Sequence, residues 1–477
     1  MQQRIFGTDG IRDIANTGFL MPELVLKLGK IIGYLLYNNP HIFITHQLPV
    51  SFKLPKSHNP TLKRSPVGAH KHQVIIGVDS RLSGAMLENA ITAGLTAQGA
   101  DVIKVGIVST PALAYLTRVG KVALGIMISA SHNHFESNGI KIFSSEGVKI
   151  PDKAELLIEK YLLDHDAHSR VIKFTNSREV GIVLNVPQKI DDYITYICNK
   201  HNHYLNGMKI VIDCANGATS VLAPEVFKRL GARVIPINCV PTGININGRC
   251  GSLYPEVLRR SVLKHHAGIG FSFDGDGDRV LVTDEKGIIR DGDYIMAILG
   301  RYYKKHHQLP KNTIVGTVMS NTGLEVSLNE AGIKLIRTPV GDRNVADKMF
   351  RNGYIIGGEQ SGHIILLNHS VTGDGLITAL ETLKIMKSED KPLSQLAECM
   401  QKYPQVLVNL KVNPVRGEDN KRYTTSEKHS GTITDASNGV DDTKSLSGYY
   451  PNKSSTTIKV VVYLGFGGRQ RGLSSLI

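Results

Sequence analysis

The sequence predicts an α/β protein with three similar domains in tandem, each built on a mixed sheet, followed by a smaller C-terminal domain. Three observations lead to this prediction. The chain of 477 residues is long enough for several domains, and 41% of it is hydrophobic. A β-branched strand, a polar loop, an amphipathic helix, a glycine and another strand recur in that order. Strands that alternate with helices of this length are typical of βαβ units.

The pattern recurs three times between residues 74 and 341. The copies read "VIIGVDSR", "MLENAITAGLTAQ", "GADVIKVG"; then "KIVIDCANGATS", "VLAPEVFKRL", "GARVIPIN"; then "TIVGTVMSNTG", "LEVSLNEA", "GIKLIRTPVG". Each helix is expected to end at a glycine in the left-handed conformation, namely Gly99, Gly231 and Gly332. Ligands of such sheets bind beyond the carboxyl ends of the strands, so the polar residues there are candidate site residues.

These copies lead to four predicted domains. The expected ranges are 1–165, 175–262, 263–385 and an altered or incomplete C-terminal domain over 386–477. A basic segment rich in proline and histidine, at about residues 38–73, interrupts the first domain and is predicted to be a long surface loop. Residues 412–456 are rich in Ser, Thr, Asn, Asp and Gly and are predicted to be linker or disordered.

The formal charge of +14 does not indicate a nucleic-acid-binding protein, because it is concentrated in two segments. Residues 38–73 carry five basic side chains and no acidic one, and residues 443–477 carry five more, again without an acid. Removing these ten charges from +14 leaves +4 for the rest of the chain. We therefore expect no nucleic-acid partner.

Cysteine usage and hydropathy predict a cytoplasmic protein. The five cysteines are scattered without a CxxC pair, as in proteins of a reducing compartment. The start "MQQRIFGTDGIRD" lacks the apolar region of a secretory signal, and no apolar run reaches the roughly 18 residues of a membrane span. We expect no membrane partner.

The segment "GIGFSFDGDGDRVLVTDEKG" (268–287) carries the first chemical signal. Asp274, Asp276 and Asp278 follow an apolar strand and alternate with glycine, so they need a cation or a large pKa shift. Oxygen ligands at this density favour Mg²⁺. A solvated acidic turn, an EF-hand loop and a haloacid-dehalogenase-type phosphatase remain as alternatives, although each fits the residues around the aspartates less well.

A second strand ends in "GIMISASHNHFESNGIKIF" (125–143), where Ser131 and His132 follow the apolar residues. Ser131 is a candidate nucleophile, or a phosphoserine that completes a metal site, while Lys141 and Arg279 are nearby cations. A Ser-His pair alone is weak evidence for a nucleophile, since many such serines only cap helices. Together with the three aspartates it favours phosphoryl transfer.

Three further segments supply polar groups. "GGEQSGHIIL" (357–366) offers Glu359, Ser361 and His363 to a polyhydroxyl ligand, and "VTGDGLITAL" (371–380) begins a helix that could meet an anion. "FGTDGIR" (6–12) adds Thr8 and Arg12 as candidate phosphate contacts.

Taken in order, "FGTDGIR", "SASHN", "DGDGDR", "VGDRNV", "GGEQSGH" and "TGDG" resemble the α-D-phosphohexomutase superfamily. "DCANGAT" and "GININGRCGS" are similar to its glucosamine branch, as is Gln360 within "GEQSGH". The resemblance implies a four-domain cytoplasmic enzyme, monomeric or homodimeric. It would interconvert glucosamine 6-phosphate and glucosamine 1-phosphate and so feed UDP-N-acetylglucosamine and cell-wall synthesis. A phosphohexomutase specific for mannose or glucose phosphates is the alternative.

The resemblance also implies roles for the site residues. Ser131 would carry the phosphoryl group and, with Asp274, Asp276 and Asp278, hold Mg²⁺. Lys141, Arg279 and His363 would complete the catalytic set. The sugar phosphate would contact Thr8, Arg12, His132, Glu359, Ser361 and His363. Hexosamine or glucose 1,6-bisphosphate would be the intermediate and activator.

The sequence departs from the family pattern at four places. His134 replaces a usual proline, which predicts a looser serine loop, and Asp13 replaces a glycine beside Arg12. The segment 38–73 has no family counterpart. The Arg-x-Ser-Gly-Thr-Glu-Pro loop that clamps the distal phosphate is not found: "HSGTITD" (429–435) and "KSLSGYYPN" (444–452) match it poorly. A sugar-phosphate-binding relative with impaired turnover is therefore a second hypothesis.

Overall fold

The computed structural model describes residues 4–7, 9–44, 72–164, 175–201, 205–414, 423–425 and 456–463. The helices of these residues are α1 (Pro22–Asn38), α2 (Gly84–Thr96), α3 (Thr110–Val119), α4 (Asp152–Leu163), α5 (Ile190–Lys200), α6 (Thr219–Arg229), α7 (Pro255–His265), α8 (Gly292–Lys305), α9 (Thr322–Glu330), α10 (Asp342–Asn352), α11 (Gly375–Glu389) and α12 (Leu393–Leu396). Within these ranges, no helix combines the length and the apolar character that a membrane span requires.

The first sheet has seven strands in the order β1-β2-β6-β5-β3-β4-β7. Its strands are β1 (Phe6–Gly7), β2 (Gly10–Ile14), β3 (Gln73–Val78), β4 (Asp101–Ile107), β5 (Leu124–Ile128), β6 (Ser137–Ser144) and β7 (Val183–Asn185). β3 pairs in parallel with β4 and β5, whereas β6 pairs antiparallel with β5 and β2. The sheet is therefore mixed, as predicted.

The second sheet has the order β12-β11-β10-β8-β9. Its strands are β8 (Lys209–Asp213), β9 (Arg233–Ile237), β10 (Ile269–Phe273), β11 (Val280–Asp284) and β12 (Ile289–Arg290). β10 pairs in parallel with β8, with Ser272 opposite Asp213. The predicted boundary after residue 262 assigned β10 to β12 to the third domain, whereas their pairing places them in the second sheet. The other domain boundaries remain predictions.

The third sheet has the order β14-β13-β15-β16. It consists of β13 (Thr313–Thr317), β14 (Lys334–Thr338), β15 (Ile356–Gly358) and β16 (Ile364–Leu366). β13 is parallel to β14 and β15, and β16 runs antiparallel to β15. This sheet is mixed as well.

All three predicted strand–helix–strand units are present, as β3-α2-β4, β8-α6-β9 and β13-α9-β14, and each strand pair is parallel. Gly99, Gly231 and Gly332 have φ values of +87°, +90° and +66°, which confirms the left-handed position after each helix. Strand residues such as Val74, Ile210 and Ile314 are fully buried, because each strand packs under its covering helices. The prediction of three tandem α/β domains with mixed sheets is confirmed.

The strands after residue 401 belong to a second compact unit of the chain. β17 (Gln405–Pro414) pairs antiparallel with both β18 (Tyr423–Thr425) and β19 (Thr456–Tyr463). β18 lies inside the segment predicted to be linker, where Tyr and Thr favour extended structure. The segments "HSGTITD" and "KSLSGYYPN" lie outside the described residues, as do residues 45–71 of the basic segment 38–73.

Candidate active site

Ser131 ends the polar turn after β5 and lies at the centre of the site. Its backbone has φ +51°, the left-handed region that non-glycine residues seldom adopt, and its side chain is buried. The Ser131 N–H donates to Ser129 Oγ at 2.9 Å, and Ser129 Oγ donates to Asp79 Oδ2 at 2.7 Å. These contacts hold the backbone of Ser131 in place.

Two donors from other elements fix the serine turn. Arg81 Nη2 and Asn247 Nδ2 each donate to the carbonyl oxygens of Ser131 and Asn133, at 2.8–2.9 Å. Arg81 also donates to the carbonyl of His134. The looser loop expected from His134 is therefore not observed, because the contact uses the backbone of that residue. Neither Arg81 nor Asn247 was predicted as a site residue.

The three predicted aspartates follow β10 and are all buried. One carboxylate oxygen of each lies within 4.8 Å of the others. Ser131 Oγ donates to Asp274 Oδ2 at 2.7 Å, so the serine turn of the first domain meets the aspartate loop of the second sheet. Burial and the neighbouring Asp278 and Asp276 raise the pKa of Asp274 well above its usual range. The predicted grouping of Ser131 with the three aspartates is present.

Close backbone packing joins the aspartate loop to the serine turn. A Cβ added at Gly275 would lie 2.6 Å from the carbonyl oxygen of Ser131 and 2.7 Å from Asn247 Nδ2. Real Cβ atoms do not approach oxygen so closely, hence any side chain at position 275 would push the serine turn away. Glycine at this position is what allows the two loops to touch.

Lys141, on β6, is a buried ammonium surrounded by acids. Its Nζ lies 2.8 Å from Asp276 Oδ2, 2.9 Å from Asp9 Oδ2 and 3.7 Å from Asp278 Oδ2. Burial alone would lower the pKa of Lys141, but these three carboxylates raise it well above the usual value. The lysine therefore remains charged and partly neutralises the aspartate loop.

Asp9 and Thr110 are site residues that the sequence did not reveal. Asp9 pairs with Lys141, Lys149 and Arg12, while Thr110 Oγ1 donates to Asp276 Oδ2 at 2.5 Å. Asp9 stands inside "FGTDGIR", where an acid three residues before a predicted phosphate-binding arginine was the available signal. Thr110 begins α3, and nothing in its local sequence points to Asp276.

Arg279 and His132 lie beside the aspartates. Arg279 Nε is 3.8 Å from Asp278 Oδ1, and its backbone N–H donates to Asp274 Oδ1 at 3.2 Å. His132 Nδ1 lies 3.3 Å from Ser131 Oγ. Burial, Arg279 and Arg12 lower the pKa of His132 to about 4, which keeps the imidazole neutral.

The residues predicted to bind the sugar divide into buried and exposed groups. His363 Nδ1 lies 3.6 Å from Asp278 Oδ2, and burial, which would lower its pKa, is outweighed by Asp278, so that the pKa is raised. Glu359 is buried and accepts the Gly341 N–H at 3.1 Å. Ser361 is exposed, and Arg12 pairs with Asp9. Thr8 lies outside the described residues.

Asp13 does not disturb Arg12 in the way that its position suggested. Its carboxylate accepts the backbone N–H groups of Ile14 at 2.8 Å and Phe19 at 3.3 Å. Neighbouring residues of a strand point to opposite faces, so the Asp13 side chain turns away from that of Arg12.

The aspartate loop fits a hard divalent cation. Asp276 Oδ1 and Asp278 Oδ1 are buried and accept no hydrogen bond from the described residues. Buried carboxylate oxygens without donors are costly unless a cation ligates them. An oxygen-only set of three aspartates with an adjacent serine hydroxyl matches the preference of Mg²⁺.

Comparison with protein families gives three matches along the chain. Residues 53–169, 191–287 and 291–403 match the α/β/α domains I, II and III of phosphoglucomutase/phosphomannomutase. The chain belongs to the phosphoglucomutase/phosphomannomutase family. The resemblance inferred from the sequence motifs is thus confirmed.

Members of this family are similar to the chain over most of its length. A phosphoglucosamine mutase of Thermoanaerobacter sp. (strain X514) is 48% identical over 409 residues, which are 86% of this chain and 84% of the relative. One from Carboxydothermus hydrogenoformans is 45% identical over 410 residues, with 86% and 85% covered.

Solved structures of the family share the fold at lower identity. A phosphoglucomutase/phosphomannomutase family protein from Burkholderia thailandensis matches with a TM-score of 0.69 at 23% identity, over 87% of this chain and 83% of that one. The phosphoglucomutase parafusin of Paramecium matches with a TM-score of 0.64 at 17% identity, over 87% and 78%.

Proposed function

We propose that the protein interconverts glucosamine 6-phosphate and glucosamine 1-phosphate through a phosphoserine at position 131. The relatives at 45–48% identity carry the name of that activity. The observation that carries the proposal is the contact of 2.7 Å between Ser131 Oγ and Asp274, in a buried cluster of three aspartates. A hydroxyl in that position can exchange a phosphoryl group under the control of a divalent cation.

The reaction consists of two phosphoryl transfers. In the first, the P–O bond to Ser131 Oγ breaks while the phosphorus bonds to the free hydroxyl oxygen of the sugar phosphate. The hydroxyl proton ends, on balance, on Ser131 Oγ, and a hexosamine bisphosphate results. The bisphosphate turns over in the site and returns its other phosphoryl group to Ser131. Added glucose 1,6-bisphosphate would charge the serine in the same way and act as activator.

The cations of the site stabilise the charge that develops during transfer. Lys141 contacts Asp276 and remains an ammonium, so it serves as an electrostatic group rather than a base. Arg279 lies beside another aspartate of the loop, Asp278. Magnesium held by Asp274, Asp276, Asp278 and a serine-phosphate oxygen would polarise the transferring phosphoryl group.

The residues around His363 suit a polyhydroxyl ligand. Glu359 and His363 flank the exposed Ser361 in the chain, and we propose that all three exchange hydrogen bonds with the sugar. A cavity of about 310 Å³ opens next to His363 and is also lined by Lys149 and Asp342. We propose Thr8, Arg12 and His132 as further substrate contacts. The cytoplasmic location, the monomeric or dimeric state and the absence of a nucleic-acid partner stay predictions.

The test is a coupled assay of glucosamine 6-phosphate conversion with Mg²⁺ and glucose 1,6-bisphosphate. Ser131→Ala should abolish both turnover and the mass increase of one phosphoryl group on the peptide that contains residue 131. Ser361→Ala, an exposed serine of the sugar-binding segment, should keep the phosphoryl group. Glucose 6-phosphate and mannose 6-phosphate measure the branch preference, and we expect the glucosamine substrate to have the highest kcat/KM.

Two results would contradict the proposal. Turnover that survives in Ser131→Ala would exclude the phosphoserine route. A folded, phosphorylated protein that binds Mg²⁺ without turnover would favour the second hypothesis, a sugar-phosphate-binding relative whose distal phosphate lacks its clamp.

A further inference from the structure

A second buried cluster of ionisable groups lies apart from the aspartate loop and has no part in the proposed reaction. It consists of His201, which directly follows α5, His369, which follows β16, and Glu381 on α11. The three side chains are 1%, 7% and 1% exposed. One ligand atom of each lies within 4.8 Å of the other two. Burial of two imidazoles around one carboxylate requires a physical reason.

The separations within this cluster are those of co-ligands around one ion. His201 Nδ1 lies 3.4 Å and His369 Nε2 lies 3.3 Å from the same oxygen, Glu381 Oε1. Tetrahedral Zn²⁺ binds nitrogen and oxygen at about 2.0–2.2 Å, which places neighbouring ligand atoms about 3.3–3.5 Å apart. N–H···O hydrogen bonds usually measure about 2.7–3.2 Å, so both contacts are long for that interpretation.

The surrounding side chains orient the carboxylate and leave Oε1 directed at the imidazoles. Tyr303 Oη donates to Glu381 Oε2 at 3.0 Å. Lys384 Nζ contacts Oε2 at 3.1 Å and Oε1 at 3.3 Å, but its side chain is 38% exposed and can swing into water. Such outer hydrogen bonds are typical of carboxylates that bind metals.

The ligand chemistry differs from that of the aspartate loop and favours a different ion. Imidazole nitrogen suits zinc and neighbouring transition metals, whereas Mg²⁺ prefers oxygen. His201 Nδ1 and His369 Nε2 both face Glu381 Oε1, so the ligand set consists of two imidazole nitrogens and one carboxylate oxygen.

We propose that His201, His369 and Glu381 form a second metal site, which binds a zinc-class divalent cation in a structural role. The ion would join the end of α5 to α11 and to the loop after β16. The end of α5 and the loop after β16 already contact each other through Tyr196 Oη, which donates to the His369 carbonyl at 2.6 Å, and through the stacked rings of His201 and His369. The ion, bound with high affinity, would cross-link these segments further.

The test uses tag-free, full-length protein, stripped with a chelator and held in excess Mg²⁺ so that the aspartate loop is saturated. Titration with Co²⁺ should give the visible d–d bands of a tetrahedral nitrogen–oxygen site at about one equivalent per chain. A sulfur-to-cobalt charge-transfer band would instead reveal binding by cysteine and overturn the assignment. Zn²⁺ should displace the Co²⁺ and raise the thermal unfolding midpoint by a few degrees.

Variants decide which residues are the ligands. His369→Asn and Glu381→Gln should each eliminate the cobalt bands, while His266→Asn, the same change at an exposed histidine with left-handed backbone, should leave them intact. Tyr303→Phe, which removes the outer hydrogen bond, should weaken binding by roughly 10-fold or more.

Lys384→Met is expected to strengthen zinc binding, so it tests the site even if the ligand variants fail to fold. Lys384→Met removes the cation that competes for Glu381, so the dissociation constant for Zn²⁺ should fall several-fold. An unchanged dissociation constant in Lys384→Met, or cobalt bands that persist in His369→Asn, would overturn the proposal.

Discussion

The aspartate loop and the histidine cluster are both buried groups of three metal-binding side chains, but they balance charge in opposite ways. The loop concentrates three carboxylates and sets the buried Lys141 and the partly exposed Arg279 against them. The cluster around Glu381 has a single carboxylate, two imidazoles and a lysine that is 38% exposed. Surplus negative charge suits a hard cation and phosphoryl chemistry, whereas neutral nitrogen suits a structural ion of the zinc class.

Removal of metal should separate the two sites most clearly. Exhaustive chelation should reduce mutase turnover to background, since the three carboxylates, which Lys141 and Arg279 offset only in part, would repel the substrate phosphate. Mg²⁺ alone should restore turnover, and Zn²⁺ alone should restore only the higher unfolding midpoint. Turnover that Zn²⁺ restores and Mg²⁺ does not would reverse the assignment of the two sites.

The lysine of each site provides the next contrast. Lys141→Met leaves Asp276 buried without the ammonium that lies 2.8 Å away, so the free energy of unfolding should fall by about 3–5 kcal/mol. Turnover should fall by about 100-fold or more, because an electrostatic group at the reacting centre is lost. Urea denaturation and the coupled assay measure both effects.

Lys384→Met is the matched control for that experiment. Its ion pair is partly exposed, so the unfolding free energy should change by about 0–1 kcal/mol and turnover should be unaffected. Equal losses in the two variants would mean that burial does not distinguish the lysines.

Gly275→Ala tests the contact between the aspartate loop and the serine turn. The added Cβ would overlap the Ser131 carbonyl, which lies 2.6 Å from its position, so the unfolding free energy should fall by about 1–3 kcal/mol. A displacement of Ser131 by a fraction of an ångström should lower kcat by about 10- to 100-fold.

Gly268→Ala serves as the control, since the nearest atom to its Cβ is 3.8 Å away and its φ is not positive. Its unfolding free energy should change by about 0.5 kcal/mol or less. If kcat is unchanged in Gly275→Ala, the close packing of the two loops has no role in catalysis.

Asp13→Asn should have the smallest effect. The amide oxygen can still accept from the backbone of Ile14, and the side chain points away from Arg12. We expect kcat/KM within about twofold of the parent protein and stability within about 0.5 kcal/mol. A several-fold rise in kcat/KM would show that the Asp13 charge does weaken phosphate binding.

The sequence predicted those features that depend on local patterns. The three strand–helix–strand units follow from β-branched runs and from glycines at helix ends, and Ser131 and the aspartates follow from polar residues after strands. Long-range pairing was not predictable in this way. That β10 lies beside β8, and that Thr110, Arg81 and Asn247 reach the site, depends on contacts between distant segments that leave no spacing signal.

The left-handed backbone of Ser131 restricts which nucleophiles evolution or engineering can place there. Threonine, chemically the nearest substitute, is β-branched and is disfavoured at φ +51°, whereas aspartate and asparagine tolerate that conformation. Position 131 therefore accepts a phosphate mimic more readily than a second hydroxyl-bearing residue. The backbone conformation, and not the chemistry of the reaction, limits which residue types can stand there.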